Sequence, residues 1–196
     1  MLRLDGLTVP GMKPVTLTLE AGQCLAIQGA SGSGKSRLLR AIADLDPHAG
    51  TALLDGRNCD SMPAPEWRRQ VTYLATDAGW WFDHVGDHFP DWAAIETDLM
   101  ALGLGPETRG WPISRLSTGE RQRLALLRAL AIEPAVLLLD EPTSALDEGA
   151  TAAVETMLAA RRETGLAILW VTHDGGQAAR VGDARLVLAD GELARP

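Results

Sequence analysis

The sequence predicts an α/β fold: a mainly parallel sheet covered by helices, preceded by a small antiparallel β-layer and interrupted by a helical lobe. Strand-length apolar runs recur at residues 24–28, 71–75, 135–140, 166–172 and 185–189, separated by helical patterns, which is the rhythm of parallel strands with crossover helices. The opening differs, because Leu2, Leu4 and Leu7 and then Val15, Leu17 and Leu19 alternate with polar residues, as half-buried antiparallel strands do. Between 77 and 113 the texture changes again, to Trp, His, Asp, Gly and Pro around one helical stretch at 92–102.

A chain of 196 residues with 46% hydrophobic residues supports one domain with a sizeable core. We read 1–196 as that domain, with 1–76 and 135–196 forming the catalytic core and 77–134 the lobe. No apolar run reaches the roughly 18 residues of a membrane-spanning helix, and the first residues carry no signal-peptide pattern, so a cytoplasmic chain is expected. The net charge of −8, from 18 Lys+Arg against 26 Asp+Glu, works against a sequence-independent grip on nucleic acid, which needs a basic stripe. Cys24 and Cys59 show neither CxxC nor Cys/His ligand spacing, so they read as buried thiols rather than a zinc site.

The segment Gly29-Ala30-Ser31-Gly32-Ser33-Gly34-Lys35-Ser36 follows the 24–28 strand and opens a helical pattern through Leu38, Leu39 and Ile42. It fits G-x-x-x-x-G-K-[ST] in the strand–loop–helix setting that motif requires, marking a P-loop nucleoside triphosphatase core. Glycines let successive backbone N–H groups face phosphate oxygens, and the helix start adds a favourable field for anions. Gly29, Ser31, Gly32, Ser33, Gly34, Lys35, Ser36 and Arg37 form the candidate phosphate set. Lys35 is one of only two lysines; its charge suits the β- and γ-phosphates, and the Ser36 hydroxyl suits Mg2+.

The apolar run 135–139 ends in Asp140-Glu141 before Pro142. A buried parallel strand delivers both acids to the sheet edge that carries the phosphate loop. Asp140 is expected to hold Mg2+ through a water, and Glu141 to polarise the attacking water. The run 166–172 ends likewise, at His173-Asp174, where an imidazole reads either as a capped surface residue or as a contact to the γ-phosphate and that water. Leu116-Ser117-Thr118-Gly119-Glu120 leads into a helix with Leu124, Leu127 and Leu130 on one face. Ser117 is a natural N-cap, leaving open backbone donors. A second anion site beside a complete phosphate loop makes sense if it meets a nucleotide held by another copy.

LSTGERQRLALLRAL, VLLLDEPTSALD and WVTHD, with GASGSGKS upstream, together resemble the ATP-binding cassette (ABC) ATPases over nearly the whole chain. The resemblance implies the ABC ATPase fold, ATP and Mg2+ as ligands, and ATP hydrolysis coupled to transport. It makes Leu116–Glu120 the signature motif, Ser144–Asp147 the D-loop with Asp147 shaping the interface, and His173 the switch histidine. Two copies pack head to tail on ATP, Ser117 and Gly119 closing over the partner's nucleotide, and a separate permease holds the dimer at the inner face of the membrane. Within the family, the small size and the stretches TSALDE and ILWVTHD resemble bacterial iron-export ATPase subunits. The alternatives are a non-transport ATPase of the family or a weakly catalytic nucleotide-binding scaffold.

Three departures stand out. Thr76 occupies the place of the family's metal- and water-sensing glutamine; it is shorter, so it reaches Mg2+ only through a water, and slow or partner-dependent hydrolysis is expected. Residues 1–23 contain no aromatic side chain to stack on adenine, implying loose base selectivity. Thr118 replaces a glycine and is strained if its backbone needs φ > 0.

His84 and His88, four apart, present either a metal-binding face or, as we expect, a polar solvated helix start. Trp80-Trp81-Phe82 reads equally as an exposed docking patch or as lobe core. The pairs Arg68-Arg69 and Arg161-Arg162 read as solvated faces.

Overall fold

The computed structural model describes residues 1–195. In chain order its elements are β1 (Leu2–Thr8), β2 (Val15–Leu19), β3 (Cys24–Gln28), α1 (Lys35–Ile42), β4 (Ala49–Leu54), β5 (Arg57–Asn58), α2 (Ala64–Gln70) and β6 (Val71–Leu74). The lobe contributes 3-10 turns and α3 (Glu96–Ala101). Then follow α4 (Thr118–Leu130), β7 (Val136–Asp140), α5 (Glu148–Glu163), β8 (Ala167–Val171), α6 (Gly175–Val181), β9 (Ala184–Ala189) and β10 (Glu192–Ala194).

The described residues form two sheets: an antiparallel layer ordered β2-β1-β4-β5, and a larger sheet ordered β10-β9-β3-β8-β7-β6. Strands β9, β3, β8, β7 and β6 run parallel, and β10 adds an antiparallel edge. Strands β7 and β8 are buried along their whole length, which explains their unbroken apolar sequences. The larger sheet therefore aligns the C-terminal ends of β3, β8 and β7 along one edge, so the phosphate loop, His173 and Asp140-Glu141 emerge side by side.

One face of that sheet packs α1 and the antiparallel layer around Leu4, Leu19, Ile42, Trp67 and Leu138. Trp67 is fully buried, and its indole N–H donates to the Ile42 carbonyl at 2.9 Å, meeting the need of a buried polar tip. The other face joins Leu137, Leu139 and Trp170 to α4, α5 and the lobe residues Val85, Phe89, Trp92 and Leu99. The lobe thus shares its core with the sheet.

Three details differ from the sequence reading. The antiparallel layer has four strands, because residues 49–54 pair with β1; Ala, Gly and Thr there lack a clear alternation. Stretch 92–102 is a 3-10 turn at Ala93–Ile95 running into the short α3. Arg162 is no solvated arginine: its guanidinium donates to the carbonyls of Gly22 and Val181 and pairs with Asp183, pinning α5 to the start of β3. Cys24 and Cys59 are both buried and free.

Candidate functional site

At the phosphate loop the Lys35 ammonium is buried and donates to the carbonyls of Gly29 at 2.8 Å and Ala30 at 2.9 Å. The Ser33 hydroxyl oxygen is buried with no hydrogen-bond partner among the described residues. A buried hydroxyl without a partner costs about 1–3 kcal/mol, and inside an anion cradle it is ready for a phosphate oxygen. Gly29 has φ 156°, and a Cβ there would stand 2.4 Å from the Leu188 carbonyl oxygen, so no other residue lets β9 approach the loop this closely. Helical bonding in α1 begins with the Leu38 N–H donating to Gly34 at 2.9 Å. The amides of Lys35, Ser36 and Arg37 precede it and face the loop as helix-start donors. Ser31, Gly32 and Ser36 are exposed around the rim. The Arg37 guanidinium turns away, donating to the Pro10 carbonyl at 2.7 Å.

Asp140 closes β7 and is 6% exposed. The Tyr73 hydroxyl donates to its Oδ2 at 2.9 Å, and the Thr76 hydroxyl donates to its main-chain carbonyl at 2.8 Å. Burial, and then the adjoining carboxylate, push the Tyr73 hydroxyl above its ordinary pKa, so it remains a proton donor that orients Asp140. Glu141 follows with φ 50°, a left-handed conformation that costs a non-glycine residue about 1–3 kcal/mol. Its backbone is held on both sides: N–H to the Val171 carbonyl at 3.0 Å, and carbonyl from the Gln122 amide at 3.0 Å. The turn aims the carboxylate at His173, whose Nδ1 lies 3.4 Å from Glu141 Oε2. Both line a cavity of about 530 Å³ with Ser144, Leu146 and Gln177.

The third group surrounds the start of α4. Ser117 is exposed, and its hydroxyl accepts from the Glu120 N–H at 3.2 Å while Glu120 Oε2 accepts from the Ser117 N–H at 2.8 Å. This reciprocal capping box holds the Glu120 carboxyl below its ordinary value, chiefly through the Ser117 amide. Thr118 takes the first helical position and is absent from the positive-φ residues; the strain envisaged for it does not arise. A Cβ on Gly119 would meet the Ala145 carbonyl oxygen at 3.1 Å, so glycine lets α4 rest on the 144–147 turn. Gln122 completes that joint, accepting from the Ala145 N–H at 3.1 Å. Asp147 caps α5, accepting from the Ala150 N–H at 2.8 Å.

Sequence reading missed Tyr73 and Gln122. A signal existed for the latter: Gln122 sits on the α4 stripe that continues through Ala125 and Ala129, and all three are buried.

The histidine pair resolves differently from either reading. His88 is 6% exposed, its Nε2 accepts from the backbone N–H groups of Trp81 and Phe82, both at 3.1 Å, and its Nδ1 lies 3.0 Å from the His84 carbonyl. With both nitrogens engaged by the backbone, His88 is a structural ring and neither a ligand nor a solvated residue. It supports Trp80, Trp81 and Phe82 edge-on, and Arg128 lies over the two indoles. Trp80 is half-buried, while Trp81 and Phe82 are 65% and 50% exposed. Trp81 stands at a cleft of about 400 Å³ whose lining also includes Tyr73, His88, Arg128 and Ile132.

A phosphate cradle, a carboxylate pair, a strand-end histidine and a second exposed helix cap on one sheet edge define a P-loop ATPase of cassette type. Residues 12–144 match the ABC transporter family model. Over 190 residues the chain is 39% identical to the aliphatic sulfonates import ATP-binding protein SsuB 2 of Pseudomonas aeruginosa, covering 93% of this chain and 68% of that protein. It is 38% identical to the "Probable iron export ATP-binding protein FetA" of Escherichia coli, covering 82% of this chain and 76% of that one. The fold matches a solved ATP-binding subunit of an ABC transporter with TM-score 0.88 at 22% identity, covering 98% and 87% of the two chains. A dimeric bacterial ABC transporter cassette superposes with TM-score 0.78 at 25% identity, covering 100% and 97%. The chain belongs to the ABC transporter family as an ATP-binding subunit, and subunits of this class are ATPases that dimerise and work with membrane permeases. Among the described residues, no helix is long and apolar enough to cross a membrane.

Proposed function

We propose that this chain is the motor of a transporter: two identical copies close around ATP, each nucleotide gripped by the Lys35 loop of one protomer and the Ser117 cap of its partner. The observation that carries this reading is the exposed, capped start of α4, resting through Gly119 on the 144–147 turn, in a chain that already has a complete phosphate cradle. A second exposed helix start in a chain that has its own phosphate cradle fits a shared ligand.

In this reading Lys35 and the amides of residues 35–37 neutralise and orient the phosphates, and Ser33 supplies its unpartnered hydroxyl. The donors fit Mg2+, a hard cation that favours oxygen: Ser36 and Asp140 would hold it, and Thr76 would act through a water. Mg2+ supplies charge neutralisation on the phosphates. Thr76 also fixes the Asp140 backbone, so a Thr76 hydroxyl already donating at 2.8 Å supports slow hydrolysis by the isolated subunit. Glu141 accepts a proton from the attacking water, and His173, 3.4 Å away, steadies the carboxylate and the γ-phosphate.

The cleft with exposed Trp81 and Phe82 suits docking of the permease, which would hold the motor at the cytoplasmic face of the membrane. Nearly equal identity to a sulfonate importer and an iron exporter supports the motor role for cargo moving in either direction, and the iron-export likeness selects no cargo. Replacing Glu141 with Gln should stop phosphate release while leaving an ATP-bound dimer visible by size exclusion. A variant that still turns over removes Glu141 from the role of general base, and one that binds ATP and stays monomeric defeats the shared-nucleotide reading.

A further inference from the structure

Between the end of α1 and the turn after β5, three side chains converge. His48 lies in the connection from α1 to β4, and Cys59 and Asp60 open the turn after β5. Their candidate donor atoms all lie within 4.8 Å of one another. His48 Nε2 is 3.9 Å from Cys59 Sγ, and that sulfur is 3.8 Å from Asp60 Oδ1. Around a tetrahedral ion with bonds of roughly 2.0–2.3 Å, neighbouring donors stand about 3.3–3.7 Å apart. The sulfur therefore needs movements of only a few tenths of an ångström toward its two neighbours, and the exposed Asp60 carboxylate is free to swing.

Features around the triad fit the same purpose. His48 Nδ1 faces the Asp46 carbonyl at 3.4 Å, the kind of contact that leaves the other nitrogen as the ligand. Asp46 is in turn fixed by two bonds from Arg40 on α1. The Asn58 side chain accepts from the Asp60 N–H at 3.1 Å, holding the turn that presents Cys59 and Asp60. Asp44 adds negative field near the sulfur. A sulfur, an imidazole and one carboxylate select zinc-class ions over the hard, oxygen-seeking Mg2+ of the nucleotide site.

We propose that His48, Cys59 and Asp60 bind one zinc-class divalent ion, separate from the nucleotide site, with three protein ligands and one open position. Such an ion ties the connection after the phosphate-loop helix to the outer edge of the antiparallel layer. Three ligands and an open position favour an exchangeable ion.

The test is a Co2+ titration of the nucleotide-free full chain in excess Mg2+. The expected result is one equivalent bound, intense tetrahedral d–d bands and a thiolate-to-cobalt charge-transfer band, all abolished by added Zn2+. Cys59→Ser should lose the charge-transfer band and Cys24→Ser should keep it. His48→Ala and Asp60→Asn should each weaken Co2+ binding at least about tenfold, as loss of a group that supports a metal typically does. Zn2+ should raise the melting temperature of the wild type and not of His48→Ala. A wild-type spectrum without a thiolate band, or a band that survives Cys59→Ser, overturns the proposal. If Cys59→Ser fails to fold, the two substitutions at solvent-reaching side chains decide, and unchanged affinity in both overturns it.

Discussion

The phosphate loop and the aromatic lobe are built on opposite principles. In the loop every bond that shapes the cradle is local: Lys35 reaches back to Gly29 and Ala30, and the anion donors are backbone amides whose direction follows from strand, glycine turn and helix. In the lobe little is settled locally. The ring of His88 holds the backbone at Trp81 and Phe82 over a short span, but that turn is itself tied across the chain: the Val85 N–H donates to the Trp111 carbonyl at 3.0 Å, and Arg128 of α4 lies over Trp80 and Trp81. Function therefore sits where structure is nearly guaranteed by contiguous sequence, and the lobe depends on side chains meeting across the fold.

Two substitutions expose that contrast. Lys35→Ala removes a preorganised positive group from the site of developing charge, and losing one such donor costs about 100- to 1,000-fold in rate. Phosphate release should fall by at least that much, while the melting temperature falls less than in His88→Ala, because only the two bonds to Gly29 and Ala30 are lost and the amides that line the cradle keep the direction set by strand and helix. His88→Ala should do the reverse. It leaves two N–H groups without an acceptor and removes three edge-on ring contacts, for about 2–4 kcal/mol of stability. Urea unfolding should show that loss, with ATP affinity of the folded fraction unchanged; a stable His88→Ala protein would show that contacts from outside the 81–88 turn suffice to hold it.

Tyr73→Phe tests whether a non-local contact also tunes the cradle side. Its hydroxyl orients Asp140 at 2.9 Å, and removing a group that supports a metal-binding carboxylate typically costs at least about tenfold. The Mg2+ concentration for half-maximal hydrolysis should rise by about that factor with the melting temperature little changed. Unaltered Mg2+ dependence would reduce Tyr73 to a packing residue.

What could be read from the sequence follows the same division. Gly29 to Ser36, Asp140-Glu141 and the Ser117 cap are each contiguous, and each declares its local geometry. Tyr73 and the meeting of His48 with Cys59 depend on strand register or on a hairpin folding back, which no spacing rule contains; Gln122 showed only in its place on the α4 stripe with Ala125 and Ala129. Gln122 looks like one more polar residue between Arg121 and Arg123, yet it is buried and bonds the 141–145 turn. The helical stretch read at 92–102 is present at 93–101, but it opens as a 3-10 turn, where the Asp91 side chain accepts from the Ala94 N–H, before becoming α-helical.

The smallest expected effect lies between the two extremes, at the cap of α4, where a local motif is joined to a distant turn. The Glu120 carboxyl is held below its 4.5 reference value mainly by the Ser117 amide. A depressed carboxyl contributes stability that is fully present above the unfolded value and lost as pH falls through the folded one. Because this group is largely in water, its charge at the helix start contributes only about 0.3–0.5 kcal/mol. Glu120→Gln keeps the hydrogen bond and drops the charge. Its urea midpoint should lie slightly below that of the wild type at pH 7, and the gap should close below pH 4.5, where both side chains become neutral. A gap that is constant across that range would mean that the carboxylate acts here through its hydrogen bond alone, leaving the α4 cap as local and charge-independent as the glycine turn of the phosphate loop.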